Sequence, residues 1–171
     1  QCMECITACP DTALPNTSQD VSTVLKTALN YYVTSSDDRA KLAGELKGIE
    51  ERARAKMNDA VKTRAKLPFK DIIRDEVNAL ANVSDKAKTE FTAIIAKLPI
   101  AYNNVPAIFR SLEAKTPGAG GLFSIFVSDL CKGCGECVQV CGDHDALRMT
   151  RETEDLNAEL TTAQIFSRLL P

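Results

Sequence analysis

Hydrophobic residues recur every three or four positions through most of the segment between Val21 and Leu112, which is the period of an α-helix packed on one side. Serines and aspartates at 35–38 and 84–85 are typical of helix starts, and prolines at 68, 99 and 106 bound the apolar segments. Thr17 or Ser18 is predicted to cap the first helix. The pattern predicts five helices, at residues 21–33, 36–66, 68–80, 84–98 and 106–112.

The longest predicted helix, residues 36–66, has an apolar stripe along one side. The stripe consists of Leu42, Leu46, Ile49, Ala53, Met57, Ala60 and Val61. The opposite face carries charged residues such as Lys47, Glu51 and Arg54, and we expect this face to meet solvent. A stripe of this length favours a packed antiparallel bundle of the predicted helices.

Short β patterns lie on both sides of the helical segment. Residues 122–127 (LFSIFV) predict a strand, and residues 146–150 and 12–15 predict two more. The sequence TPGAGG at 116–121 breaks the helical pattern and predicts a loop. Residues 161–170 predict a closing helix with Ile165 and Phe166 facing inward.

The composition is that of an ordinary soluble globular protein, since 44% of the 171 residues are hydrophobic and 26% are charged. This length corresponds to about one domain. A net charge of -2, an aromatic content of 5% and the lack of tryptophan argue against nucleic-acid binding. No apolar run approaches the roughly 18 residues that a membrane helix needs.

All seven cysteines lie in two tight groups near the two ends of the sequence. The second group has the spacing C-x2-C-x2-C-x3-C, which is the bacterial-type pattern for a [4Fe–4S] cluster. It consists of Cys131, Cys134, Cys137 and Cys141. The first group, Cys2, Cys5 and Cys9, matches the last three-quarters of the same pattern, and a further cysteine is expected two residues before Gln1. The tight grouping and the odd number of the cysteines favour metal ligands over disulfides. Cysteines that bind metal are typical of a reducing compartment, so we expect a cytoplasmic protein.

The ligand sets follow from the usual behaviour of such motifs. A [4Fe–4S] cube takes one thiolate per iron, and in two-cluster proteins the fourth cysteine of each motif binds the other cluster. This rule assigns one cluster to Cys9, Cys131, Cys134 and Cys137. It assigns the second cluster to Cys2, Cys5, Cys141 and the cysteine expected before Gln1.

Zinc is the alternative metal, because four thiolates also suit it, although zinc sites commonly pair two C-x2-C groups across a longer gap. His144, three residues after Cys141, is either a substitute ligand or, in the favoured interpretation, an exposed loop residue. Lys132 and Arg148 are either solvated charges, which we favour, or contacts for an acidic partner. A helical interaction module held together by a metal is the alternative without redox chemistry.

The segments QCMECITACPDTAL and DLCKGCGECVQVC resemble the two-cluster ferredoxin domain of 2-oxoacid:ferredoxin oxidoreductases, the pyruvate:ferredoxin oxidoreductase group. The C-terminal segment LNAELTTAQIFSRLLP is similar to the stretch that leads toward the thiamine-binding domain of that family. The resemblance implies an electron relay through two [4Fe–4S] clusters during oxidative decarboxylation of a 2-oxoacid to an acyl-coenzyme A. Thiamine diphosphate, magnesium and coenzyme A are then implied on other domains of a longer chain.

Together with the helical pattern, the resemblance implies an α+β fold, with a bacterial dicluster ferredoxin-like core and a large all-α insertion between the two motifs. The expected boundaries are residues 1–16 and 117–171 for the two halves of the core and 17–116 for the insertion. The implied partners are a ferredoxin or flavodoxin acceptor and other domains of the same chain, in an oligomeric enzyme without nucleic acid or membrane. An iron–sulfur subunit of another redox complex is the alternative.

Overall fold

A computed structural model describes residues 3–102 and 105–171 of the chain. Its helices, in chain order, are α1 (Glu4–Ala8), α2 (Val21–Tyr32), α3 (Ser36–Thr63), α4 (Phe69–Asn78), α5 (Asp85–Lys97), α6 (Arg110–Lys115), α7 (Glu136–Cys141) and α8 (Glu154–Leu169). Its strands are β1 (Asn16–Asp20), β2 (Ile100–Ala101) and β3 (Gly121–Ile125). The mixed α+β class is therefore confirmed, while the ferredoxin-like character of the core stays a prediction.

The three strands form one small antiparallel sheet with β3 in the middle. In the pairing of β1 with β3, Asn16 lies opposite Ile125 and Asp20 lies opposite Gly121. On the other edge Ile100 of β2 lies opposite Ser124. The helical segment thus leaves the sheet after β1 and returns to it at β2 and β3. Helices α1 and α7, which carry Cys5 and Cys137, are therefore in contact although they are far apart in sequence.

The predicted strand at residues 122–127 is confirmed as β3, but the strand predicted at 12–15 is displaced. Strand β1 begins at Asn16, because Pro15 has no N–H for the ladder and Thr12 has a left-handed backbone with φ of 52°. The carbonyl oxygen of Pro15 still accepts a hydrogen bond from the N–H of Phe126, with an N–O distance of 2.8 Å. Residues 146–150 form no strand.

Side-chain caps fix the starts of most of the longer helices. Ser35 accepts from the N–H of Asp38 and Ser84 accepts from the N–H of Ala87, as the sequence predicted. Helix α2 is capped by Asp20 rather than by Thr17 or Ser18. Helix α8 begins at Glu154, earlier than predicted, because Thr153 caps it. None of the described helices combines the length and apolarity needed to cross a bilayer.

One hydrophobic core joins the helices α2 to α5 to strand β3 and helix α8. The predicted stripe of α3 is confirmed, since Leu42, Ile49 and Met57 are fully buried. Phe166 of α8 is also buried, whereas Ile165 is exposed, contrary to expectation.

Arg54 was expected on the solvent face of α3 but is buried. Its guanidinium donates hydrogen bonds to the carboxylate of Glu113, at 3.0 Å, and to the carbonyl oxygen of Gly120, at 2.7 Å. Its Nε also donates to Glu50, at 2.9 Å. A charged group can be buried when it is paired and hydrogen-bonded in this way, and these contacts tie α3 to α6 and to the loop before β3.

Candidate metal centre

Helices α1 and α7 pack against each other and begin in the same way. Met3 precedes α1 with φ of 57°, and Gly135 precedes α7 with φ of 84°, so both helices start after a left-handed residue. Glycine adopts this conformation without steric cost, whereas methionine does not. Each helix then opens with a glutamate, Glu4 or Glu136, one residue before a cysteine.

The two segments also end alike. The N–H of Ala13 donates to the sulfur of Cys9 at 3.2 Å, and the N–H of Ala146 donates to the sulfur of Cys141 at 3.3 Å. A short 3₁₀ turn, Gly142–His144, accommodates the one extra residue of the second copy. The same local fold therefore occurs twice, and in each copy the last cysteine of the motif receives a backbone hydrogen bond.

Four cysteines line one cavity, which we call the four-cysteine cavity. They are Cys9, Cys131, Cys134 and Cys137. Cys131 and Cys134 are exposed, whereas Cys9 and Cys137 are half-buried. The charged residues that line the four-cysteine cavity are Asp11 and Lys132, and Met149 also lines it. The cavity thus brings the last cysteine of the first group together with the first three of the second group.

The thiols of this cavity influence one another electrostatically. Partial burial raises the pKa of the Cys137 thiol, and the charges of Cys131 and Cys134 raise it further, although the N–H of Val138 opposes the shift. Thiolates that repel one another in this way are stabilised when cations lie between them. Four thiols around one cavity fit a [4Fe–4S] cluster, which needs one thiolate per iron.

Cys5 and Cys141 line a second and larger cavity of about 560 Å³, which we call the two-cysteine cavity. Cys141 is buried and Cys5 is half-buried. His144, at the end of the 3₁₀ turn, also lines this cavity. The side chain is exposed, as the sequence predicted. Cys2, which the sequence assigns to the same site, lies outside the described residues.

The helical segment between the two cysteine groups supplies much of the wall of the two-cysteine cavity. Phe69 and Lys70 come from the start of α4, and residues 96–101 come from the end of α5 and from β2. Sequence analysis missed these residues, because they meet only through tertiary packing, which includes the contact of α4 with β2, and this packing leaves no motif in the sequence. Within residues 3–102 and 105–171, no three or more His, Cys, Asp or Glu side chains are grouped as a single metal ion would require.

Comparisons of the chain with protein-family models, with curated proteins and with solved structures found no match.

Proposed function

We propose that this chain holds two [4Fe–4S] clusters and relays electrons through them, like the ferredoxin domain of 2-oxoacid:ferredoxin oxidoreductases. The observation that carries the proposal is the shared cavity of Cys9 with Cys131, Cys134 and Cys137. These residues come from opposite ends of the sequence, and crossed ligation between two motifs requires this meeting. The pair Cys5 and Cys141 at the second cavity supports the complementary ligand set.

The clusters would supply one-electron chemistry, and the residues of this chain would hold them and adjust their environment. The N–H groups of Ala13 and Ala146 stabilise negative charge on the sulfurs of Cys9 and Cys141. Cys131 and Cys134 of the four-cysteine cavity are exposed, whereas Cys141 at the other cavity is buried. Met149, which also lines the four-cysteine cavity, and Leu130, the residue before Cys131, are exposed apolar side chains. We therefore propose this side of the molecule as the contact for a ferredoxin or flavodoxin acceptor. Decarboxylation of a 2-oxoacid would take place on other domains.

Anaerobic reconstitution of the natural full-length chain tests the proposal, with iron and acid-labile sulfide measured per protein. We expect about four of each for every cluster. Electron paramagnetic resonance of the reduced protein separates the two centres. Cys9→Ala and Cys134→Ala are expected to abolish the same signal, and Cys141→Ala the other one. Met149→Leu is the control, because it changes the lining of the four-cysteine cavity without removing a thiol.

Two outcomes would contradict the proposal in different ways. Stoichiometric zinc without sulfide would favour a metal-stabilised interaction module. Loss of different signals in Cys9→Ala and Cys134→Ala would show that each motif binds its own cluster, and the crossed assignment would be wrong.

A further inference from the structure

We call residues 126–131 the approach segment, because they lead from the end of β3 to the second cysteine group. The N–H of Phe126 donates to the carbonyl oxygen of Pro15, with an N–O distance of 2.8 Å. The N–H of Ser128 donates in the same way to Ala13, at 2.9 Å. These bonds continue the antiparallel register of β1 with β3, so the approach segment lies against the residues that follow the first cysteine group.

This pairing is weaker than an ordinary antiparallel ladder, in which two opposed residues can exchange two N–H···O bonds. Pro15 has no N–H to return to Phe126. Ala13 donates its N–H to the sulfur of Cys9, at 3.2 Å, rather than to Ser128. One backbone hydrogen bond therefore joins each of the two residue pairs.

The backbone of Ser128 connects one cysteine of each group. Its N–H donates to Ala13, whose own N–H donates to Cys9, and its carbonyl oxygen accepts from the N–H of Cys131 at 3.1 Å. Cys9 and Cys131 both line the four-cysteine cavity. The position of Ser128 therefore affects how these two thiols are placed relative to each other.

A side chain of α8 binds the same part of the approach segment. The Nε2 of Gln164 donates to the carbonyl oxygen of Val127, at 2.7 Å. This carbonyl belongs to the same peptide group as the N–H of Ser128, so one peptide group is bonded both to α8 and to Ala13. Gln164 therefore fixes the group from which the single bond to Ala13 is donated.

The hydrophobic core in turn fixes Gln164. Ala163 and Phe166 of the same helix are buried. The ring of Phe166 packs against that of Tyr32 in α2, with 5.9 Å between the ring centroids. The side chain of Gln164 is half-buried, which limits the competition of water for the carbonyl of Val127.

We infer that Gln164 is a positioning residue of the four-cysteine cavity, because its amide keeps Cys9 and Cys131 where both can bind one metal centre. The placement of these two thiols does not depend on the proposed function, whereas the consequence for a cluster rests on it. A [4Fe–4S] cluster needs one thiolate per iron. Loss of the amide should therefore let a thiolate leave more often and speed the loss of iron.

The first test measures the placement of the thiols in the metal-free full-length chain. A short bis-maleimide joins thiols that come close together, and mass spectrometry quantifies the product that joins Cys9 to Cys131. In Gln164→Met we expect this product to form about twofold to tenfold more slowly than in wild type, since one part-buried hydrogen bond is lost. Gln164→Glu keeps the shape of the side chain but has no donor at neutral pH, and should match Gln164→Met. The product that joins Cys134 to Cys137 should form at the wild-type rate, because both cysteines belong to the second group.

The second test uses the anaerobically reconstituted full-length chain. A ferrous chelator is added, and electron paramagnetic resonance of samples reduced at intervals follows the centre that Cys134→Ala abolishes. Gln164→Met should lose this signal about twofold to tenfold faster than wild type. Gln19→Met is the matched control, since the amide of Gln19 also donates to a backbone carbonyl, that of Pro171, at 2.8 Å. Gln19 is not among the described residues that line the four-cysteine cavity, so both measurements should stay unchanged in Gln19→Met.

The outcomes separate this inference from the proposed function. A wild-type rate of crosslinking or of iron loss in Gln164→Met would overturn the inference. Equal changes in Gln164→Met and Gln19→Met would overturn it as well, because the loss of an amide contact elsewhere in the fold would then be sufficient. A wild-type chain that binds no iron and sulfide, with crosslinking still slowed in Gln164→Met, would overturn the proposed function and support the inference.

Discussion

The helical bundle, formed by α2 to α5, and the cysteine end, formed by α1 and residues 127–150, are stabilised in opposite ways. Each helix of the bundle buries four or more side chains. In the cysteine end α1 buries none, and Cys141 is the sole buried residue between 127 and 162, all of which the structure describes. The bundle is thus held by its own apolar contacts, whereas the cysteine end has few contacts of this kind.

This difference explains how a long helical segment can separate the two cysteine groups in the sequence without separating them in space. The pairing of β1 with β3 joins the bundle to the cysteine end, and the core extends from the bundle to Phe126. A bundle that folds by itself would bring the two cysteine groups together before any metal binds. The remaining order at the cysteine end would then come from metal–thiolate bonds.

The most severe test of the bundle places a charge in its core. Ile49 of α3 is fully buried, so Ile49→Asp buries a carboxylate without a partner and should cost more than about 4 kcal/mol of unfolding free energy. Chemical denaturation followed by circular dichroism measures this loss. The matched control is Lys47→Asp on the exposed face of the same helix, with a change below about 0.5 kcal/mol. Similar stability of the two variants would show that the stripe is not the core.

The next largest effect concerns the buried ion pair between the bundle and α6. Arg54→Met leaves Glu113 buried without its cation and should cost about 3 kcal/mol in the same denaturation experiment. The double variant Arg54→Met/Glu113→Gln removes the unpaired charge and keeps one oxygen to accept from the N–H of Gly118 or Gly120, so it should recover part of the loss. Arg74→Met, which breaks an exposed pair with Asp71, is the control and should cost less than about 1 kcal/mol. Equal losses in the two arginine variants would contradict the role of burial.

If the proposed clusters bind at the cysteine end, removal of their iron should loosen this end and leave the bundle folded. We expect chelation to speed proteolytic cleavage within residues 127–150 by at least about tenfold, while the melting temperature of the bundle changes little. Limited proteolysis with mass spectrometry locates the cuts, and circular dichroism follows the bundle. Cys134→Ala without iron is the control, because its exposed thiol makes no core contact and its cleavage should match that of the metal-free wild type. Collapse of the bundle on chelation would show that the two regions fold as one unit.

The sequence predicted the bundle well because helical periodicity and capping are local signals. The buried stripe of α3 and the caps at Ser35 and Ser84 are examples. Burial of Arg54 could not be predicted, since its partner Glu113 lies 59 positions away. The cap at Thr153 was overlooked although a threonine followed by two acids is a recognisable start signal.

At the cysteine end, motif spacing predicted that Cys9 would lie near residues 131–137, and the structure places them at one cavity. Cluster ligation itself stays a prediction. Spacing could not reveal that Lys70 of α4 and Lys97 of α5 line the other cavity, because these residues meet the cysteine end only in the folded chain.

The smallest expected effect concerns Glu76 of α4, which links two helices of the bundle by charge. Burial opposes its ionisation, but Lys56, at 2.6 Å, and Arg52 outweigh burial and lower the pKa of Glu76 below its usual value of 4.5. A carboxyl group with a lower pKa in the folded state stabilises the fold above its unfolded pKa, and this contribution disappears as the pH falls through the folded pKa. Glu76→Gln should therefore cost about 1 kcal/mol at neutral pH, since both partners are half-exposed, and progressively less below pH 4.5. Denaturation of wild type and variant at matched pH isolates Glu76, because the other titrating groups contribute alike to both proteins. If the cost of Glu76→Gln in unfolding free energy instead grows as the pH falls, burial outweighs the two cations. The charges would then not stabilise the contact of α3 with α4, which would rest on apolar contacts alone.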